Sequence, residues 1–314
     1  MSQLASFGIA DSDLAPRLKF VNVLPTAILL IIVASLLLSG APANAPSFEA
    51  LVDNAGHYGW VGAALATAGS LVVGLLLQPL ELASIQVLEG YWGRSGPLAP
   101  LAAFGSWMQE RRKSRLDWVI DHLTDRLPVL ADSAAQKLDL LPDANLLPTK
   151  LGNRLRAAED RAGAPYGLDA VMAWPRLFFS LPEDALQKVT EYRNQLDIAV
   201  RLCITFGLGA LITTALLVLH PLWLAVPAIC ALLSWFAYHA ALHAATTYGI
   251  AFTAAIDVYR MKLLRDLSLK MPANTDEERD INGKLMALWE RRGGWPAPVD
   301  YAPAGDSDTS SDPA

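Results

Sequence analysis

His239 and His243 stand four residues apart in a stretch dominated by apolar side chains. On a helix that spacing puts both imidazoles on one face, and Thr247 extends the stripe by a further turn. Three chemistries suit such a pair. It can hold zinc or copper, which takes a third or fourth ligand. No HExxH, CxxC or carboxylate cluster nearby in the sequence supplies one. It can belong to a polar pathway or proton relay through an apolar layer. Or it can hydrogen-bond between helices near the inner face of a membrane, the reading the pattern favours.

Other polar residues flank apolar runs. Asp197 and Arg201 form an i, i+4 pair in the favourable order. They read as an interfacial anchor pair, with a gating or ion-filter role as the alternative. Gln78, Glu81 and Glu89 share roughly one helical face. They suit a solvated amphipathic extension or, in an oligomer, a carboxylate ring at a pore mouth.

A third set is Leu151-Gly152-Asn153-Arg154-Leu155-Arg156-Ala157-Ala158-Glu159-Asp160, followed by Arg161, Trp174 and Arg176. Gly152 and Asn153 can cap a helix or meet a ligand. Arg154, Arg156, Arg161 and Arg176 suit an anion such as a phosphate or a lipid headgroup. The favoured reading is a self-contained network of arginines and carboxylates joining this region to membrane helices. An enzyme acting on lipid would have to draw on His243, Asp257 and Arg260. No Walker A loop, GxSxG or dinucleotide fingerprint is present. The expectation is a non-enzyme without cofactor or metal.

The elements that must position these residues follow from composition. The 314 residues are 53% hydrophobic and 18% charged, with a mean hydropathy of +0.30. Soluble domains carry about 25% charged residues. The net charge of −6 disfavours a nucleic-acid partner. The apolar residues gather in four blocks, at 23–38, 58–77, 202–219 and from 221 or 222 to about 248, none containing Lys, Arg, Asp or Glu. About 20 such residues cross a bilayer, so an all-α polytopic protein with four transmembrane helices is expected. The first block has the flanks of a signal peptide, Arg17 and Lys19 before it and Ala43-Asn44-Ala45 after it. Pro46 would obstruct cleavage there, and the block is read as a retained helix. Cys203 and Cys230 fall within apolar blocks and read as small buried hydrophobes. Gly59, Gly69, Gly74, Gly207 and Gly209 offer close-packing surfaces, in a compact bundle or a homo-oligomer.

All 25 Lys and Arg fall on one side of this plan, 14 of them within 78–193. The 39–57 loop and the His220-Pro221 turn have none. Basic residues stay in the cytoplasm, so both termini are expected inside a bacterial plasma membrane. The expected divisions are a cytoplasmic N-terminus (1–22), a first transmembrane pair (23–77), a helical cytoplasmic insert (78–193), a second pair (194–248), an amphipathic helical region (249–292) and a disordered acidic tail (293–314). Apolar periodicity predicts helices over 105–127, 150–162 and 276–291. The helix opened by Pro182-Glu183-Asp184 is expected to run unbroken into the third span, and the fourth to run on past Arg260.

The Leu151–Asp160 motif is accompanied by Tyr166-Gly167-Leu168-Asp169-Ala170-Val171, Trp174-Pro175-Arg176-Leu177, Leu88-Glu89-Gly90-Tyr91-Trp92-Gly93 and the segment Ala254–Leu264. Together, over roughly 75–290, these resemble a group of predicted bacterial multi-pass membrane proteins of actinobacterial type. The resemblance implies topology and carries no activity. The plan is also similar in topological outline to bestrophin-type anion channels, without their signature residues. The expected function is a structural, sensory or scaffold membrane component, in contact with membrane lipids and a cytoplasmic protein partner. The alternative is an oligomeric channel or small transporter.

Overall fold

A computed structural model describes residues 15–57, 59, 62, 68–69, 81–92, 98–290 and 298–302, with side chains except at 15–25 and 81–84. Of the expected second span, 58–77, positions 59, 62 and 68–69 are described and helical; the rest of it and Gln78 lie outside the described residues. Among the described residues the chain is all-α, and its β contact is an isolated bridge between Leu269 and Tyr301. The helices are α1 (Ala15–Leu38), α2 (Glu81–Glu89), α3 (Ala99–Leu123), α4 (Pro128–Leu138), α5 (Lys150–Arg161), α6 (Ala170–Ser180), α7 (Glu183–Leu217), α8 (Ala225–Asp266) and α9 (Thr275–Glu290). Short 3-10 turns cover Ala164–Tyr166 and Pro221–Leu224.

The chain forms two compact units. One gathers Trp92–Arg193 with the chain from Ala245 onward. Its helices begin where side chains take up orphan amides. Thr149 Oγ1 accepts from Gly152 N at 3.1 Å, Asp169 Oδ1 from Met172 N at 3.0 Å, and Asn274 Oδ1 from Glu277 N at 2.9 Å. Pro128 occupies the first turn of α4, where its missing N–H costs nothing. In this unit Leu151, Leu177, Phe252, Ile256 and Leu263 are fully buried. Each such side chain contributes about 1.5–3 kcal/mol by leaving water. Trp174 of α6 meets Phe252 of α8 with ring centroids 4.7 Å apart.

Within the segment expected as an acidic tail, residues 298–302 are described and make contacts. Lys270 N donates to Asp300 O at 3.1 Å and Ala302 N to Ser268 O at 2.9 Å. Val299 packs against the cluster of Leu264, Leu269 and Leu285.

The second unit takes the described residues up to Tyr91 together with Asn194–Ala244. Leu36 of α1, Ala41 and Leu217 of α7 form a buried cluster, and Val226 of α8 packs on it. His220 Nε2 lies 3.1 Å from Pro42 O, and Asn54 Nδ2 donates to Leu38 O at 2.8 Å. The 39–57 connection, helical over 48–57, and the α7–α8 turn thus meet at one end of this unit. A Cβ on Gly209 would stand 2.9 Å from Leu29 Cδ1, so α1 and α7 touch where a glycine admits them.

Two helices are long and apolar enough to cross a membrane, α7 and the run from Pro221 through α8. At 1.5 Å per residue they measure roughly 50 and 70 Å, well beyond a hydrocarbon core of about 30 Å. Only 33% and 17% of their most apolar windows are buried. A soluble core helix of that hydropathy would be mostly covered by protein. Each is one continuous helix, Glu183–Leu217 and Ala225–Asp266, in keeping with a helix opened at Pro182-Glu183-Asp184 that runs into the third apolar block and a fourth block that runs on past Arg260.

Gly249 of α8 faces Ala158 of α5, where an added Cβ would come within 2.8 Å of the alanine's own. Gly249→Ala is therefore expected to destabilise by about 1–3 kcal/mol through overpacking. A lower melting temperature in detergent, partly restored by adding Ala158→Gly, checks the contact.

Candidate functional site

The insert motif occupies α5, and its polar residues divide into those that hold the backbone and those that hold charge. Asn153 is fully buried. Its Nδ2 donates to Leu147 O at 2.9 Å and its Oδ1 accepts from Leu147 N at 2.7 Å. Both ends of the amide are used within the chain, pinning the strand of loop that leads into α5. Gly152 takes the Thr149 cap described above.

The arginines go to separate partners. Arg154 Nη1 donates to Thr246 Oγ1 of α8 at 2.9 Å. Arg156 Nε lies 3.5 Å from Asp160 Oδ1. Arg161 Nη1 lies 3.3 Å from Asp139 Oδ1 and also donates to Asp139 O. Arg176 donates to Met172 O at 2.7 Å and its guanidinium stacks 4.1 Å from the Trp289 ring centre. An anion site needs these donors to converge; here each faces its own group.

Glu159 is the electrostatic centre of α5. Burial pushes its carboxyl up to about 7, Arg156 and Arg193 pull it down, and Asp160 pushes it further up. Asp160 is also raised, chiefly by burial, against the pull of Arg156. Arg193 of α7 lies over the Tyr248 ring of α8 at 5.6 Å. A carboxyl that titrates near neutrality is fitted to exchange a proton at physiological pH.

A second charged centre escaped sequence reasoning. Glu278 of α9 is buried, and its Oε1 accepts from Arg260 Nε of α8 at 2.7 Å. The same guanidinium lies 3.8 Å from the Tyr166 ring centre and donates to Asp257 O. Asn282 Nδ2 donates to Tyr166 O at 2.9 Å. Glu278 sits in an acidic first turn, where a carboxylate ordinarily faces water. The available signal is its spacing to Asn282 and Leu285, which puts all three on one buried face. Arg260, which the sequence offers to a lipid-acting constellation with His243 and Asp257, is committed to Glu278.

The histidine stripe lies on α8. His239, His243 and Thr247 are all exposed, while Ala237, Ala241, Leu242 and Ala245 form the helix's buried face. The His239 ring stands 4.4 Å from that of Trp235. Asp197 and Arg201 are half-buried, one turn apart on α7. Glu89 departs from the solvated extension expected of it, being only 2% exposed. Glu81 opens α2. Cys203 and Cys230 are buried free thiols, and Ser234 Oγ donates to Cys203 O at 2.8 Å. Among the described residues no group of three or more His, Cys, Asp or Glu is placed to hold a metal.

The raised Glu159 makes stability depend on pH. Below its ordinary value of 4.5 the folded and unfolded chains both hold the proton. Between there and about 7 the unfolded chain releases it first, so stability falls as pH rises through that window. Glu159→Gln does not titrate. Its stability should gain on the native chain across pH 4.5 to 7, by up to about 3 kcal/mol. Melting curves of both proteins in detergent over that range check it; a constant gap refutes the buried carboxyl.

Compared with protein-family models, with curated proteins and with solved structures, the chain matches none of them. Its function is therefore read from its own geometry.

Proposed function

We propose that the chain is an integral protein of the bacterial cytoplasmic membrane with four spans, at 23–38, 58–77, 202–219 and 221–248, and both termini inside. It serves as a structural, sensory or scaffold component whose insert and C-terminal helices meet a cytoplasmic partner protein. One observation carries the topology. The two connections that lack Lys and Arg, 39–57 and the α7–α8 turn, meet through His220 and Pro42 at one end of the apolar unit. Two helices long enough to cross a membrane lead away from that end. A membrane-crossing charge asymmetry in sequence thus coincides with a spatial one. The non-enzymatic reading rests on the arginines of the insert, which engage separate groups of the chain: Arg154 the Thr246 hydroxyl, Arg156 Asp160, Arg161 Asp139, and Arg176 the Met172 carbonyl and the Trp289 ring.

A second reading is an oligomeric ion channel or small transporter. The exposed His239, His243 and Thr247 favour it, since copies meeting along α8 would enclose a polar stripe. Flux across liposomes holding the purified chain separates the two. Flux that His239→Leu with His243→Leu abolishes establishes the channel. No flux above protein-free liposomes leaves the scaffold.

The topology is tested by cysteine accessibility in intact cells, on a chain lacking its native cysteines. A cysteine at Asp53, in the outer loop, should react with a membrane-impermeant maleimide. Cysteines at Ser114 and Ser307 should react only after the membrane is opened. Reaction at Ser114 in sealed cells overturns the orientation.

A further inference from the structure

α3 presents two chemically distinct sides. Leu101, Phe104, Trp107, Met108 and Trp118 are between 44 and 57% exposed. Arg111 and Arg115 are exposed among them. At 3.6 residues per turn these seven fall within an arc of about 120°, which holds no carboxylate. The acidic residues of the helix, Glu110, Asp117 and Asp121, centre about 120° round the axis. Lys113 is turned from the basic face, its Nζ donating to the carbonyls of Pro142 and Asp143 at 3.0 and 2.8 Å. The flank of Glu110 and Lys113 borders the 143–146 loop, and Gly105 approaches Pro148 so closely that a Cβ would stand 2.7 Å from it. The Lys113 and Gly105 flank of α3 is thus occupied by its own chain, Glu110 at its border stays exposed, and the apolar and basic side is open.

We infer that this face of α3 is an anionic-lipid surface, lying in the cytoplasmic leaflet of the membrane with its aromatic residues at headgroup depth and its arginines on lipid phosphates. The inference rests on the membrane reading proposed above. The charge is complementary: cationic and apolar groups share one face and the carboxylates are kept off it. Helices of this kind settle about 5–10 Å into the boundary between headgroups and acyl chains. Tryptophan belongs at that level, and an arginine stem can lie along apolar surface while its guanidinium reaches a phosphate. The Arg111 guanidinium already rests 4.1 Å from the Trp107 ring centre, placing cation and aromatic at one depth. A partner protein would need a matching acidic and apolar groove some 37 Å long to cover the 25-residue helix. A leaflet containing phosphatidylglycerol supplies such a surface without a groove.

The test uses the full chain, with Cys203→Ala and Cys230→Ala, spin-labelled at Phe104→Cys or, on the other flank, at Glu110→Cys. It is reconstituted into neutral phosphatidylcholine or into a mixture with phosphatidylglycerol. Power saturation reads contact of the label with oxygen, which concentrates in lipid, and with a water-soluble nickel chelate. At position 104 the oxygen-to-nickel ratio should be several-fold higher in the anionic bilayer than in the neutral one. Arg111→Glu with Arg115→Glu should bring it down to the neutral value, and position 110 should stay nickel-accessible in both. Nickel access at 104 in both bilayers overturns the inference. So does equal shielding in the two, which would leave charge no part, and so does spin–spin broadening relieved by unlabelled chain, which would make the occupant a second copy. Should the cysteine-free chain misfold, brominated phosphatidylglycerol applied to the native chain must quench fluorescence that Trp107→Phe with Trp118→Phe removes; unchanged quenching overturns the inference. Alkaline carbonate separates the two levels of failure. A chain it strips from the bilayer refutes the membrane reading. A chain that stays embedded with position 104 in water refutes only the role of α3.

Discussion

Hydrocarbon offers a backbone amide no partner, and each N–H or C=O left bare there costs several kcal/mol. Within the proposed function, α7 and α8 meet this demand with 35 and 42 residues of continuous helix. No proline interrupts α7, and those near the start of α8, Pro221 and Pro227, stand at the turn and in the first helical turn. There a missing N–H costs nothing. Polar side chains along the apolar stretch are consumed close to home. Thr213 and Thr214 return their hydroxyl protons to Gly209 O and Ala210 O, at 2.7 and 2.6 Å. With the backbone satisfied in this way, helix contacts fall to small residues, as where Leu29 meets Gly209 and where Ser234 reaches the Cys203 carbonyl.

The other unit solves the opposite problem. It carries most of the chain's basic residues and must place long charged side chains among apolar ones. It does so at several positions by giving the cation a dedicated acceptor: Arg154 the Thr246 hydroxyl, Lys262 the Ser180 carbonyl at 2.6 Å, Arg260 the buried Glu278. Removing one member of a buried pair such as the last costs about 3–5 kcal/mol, because the survivor is left uncompensated. These bonds tie α5, α6 and α9 to α8, so the helix that leaves the apolar unit also organises the charged one.

The long elements were legible because their signal is redundant. Tens of uncharged residues, and acidic residues opening α7, fix a helix whatever the tertiary context. α4 and α6 were harder to see. Pro128 reads as a break until its place in a first helical turn is known. Pro175 lies inside α6, whose only strong local cue is Asp169 as a cap. In the insert, the sequence identified the arginines but not their partners, since Thr246 and Trp289 lie some 90 and 110 positions further on. Glu278 was illegible for a related reason. Its burial depends on Arg260 and Tyr166 arriving from elsewhere in the chain, and nothing local in Thr275–Glu290 announces them. The basic and aromatic face of α3 is hard to read locally, because Glu110, Arg111, Arg112 and Lys113 follow one another in sequence and only the helix separates Arg111 from Lys113, whose Nζ turns to the carbonyls of Pro142 and Asp143.

These placements bear on whether the insert is a passive brace or a sensor. Glu159 stands on the helix that Arg154 fastens to α8, and it feels Arg193 of α7, whose guanidinium lies over Tyr248 of α8. A proton arriving on Glu159 removes the negative charge that both Arg156 and Arg193 attract. The cost of burying that carboxylate vanishes at the same moment, so the two contributions oppose each other within one cluster. A brace would gain by placing glutamine or leucine there, which carry no titration. Within the proposed function, a carboxyl held near neutrality between arginines, beside the two longest described helices, would give cytoplasmic pH a handle on them. Within the proposed function, that charge arrangement favours the sensory reading over a purely structural one.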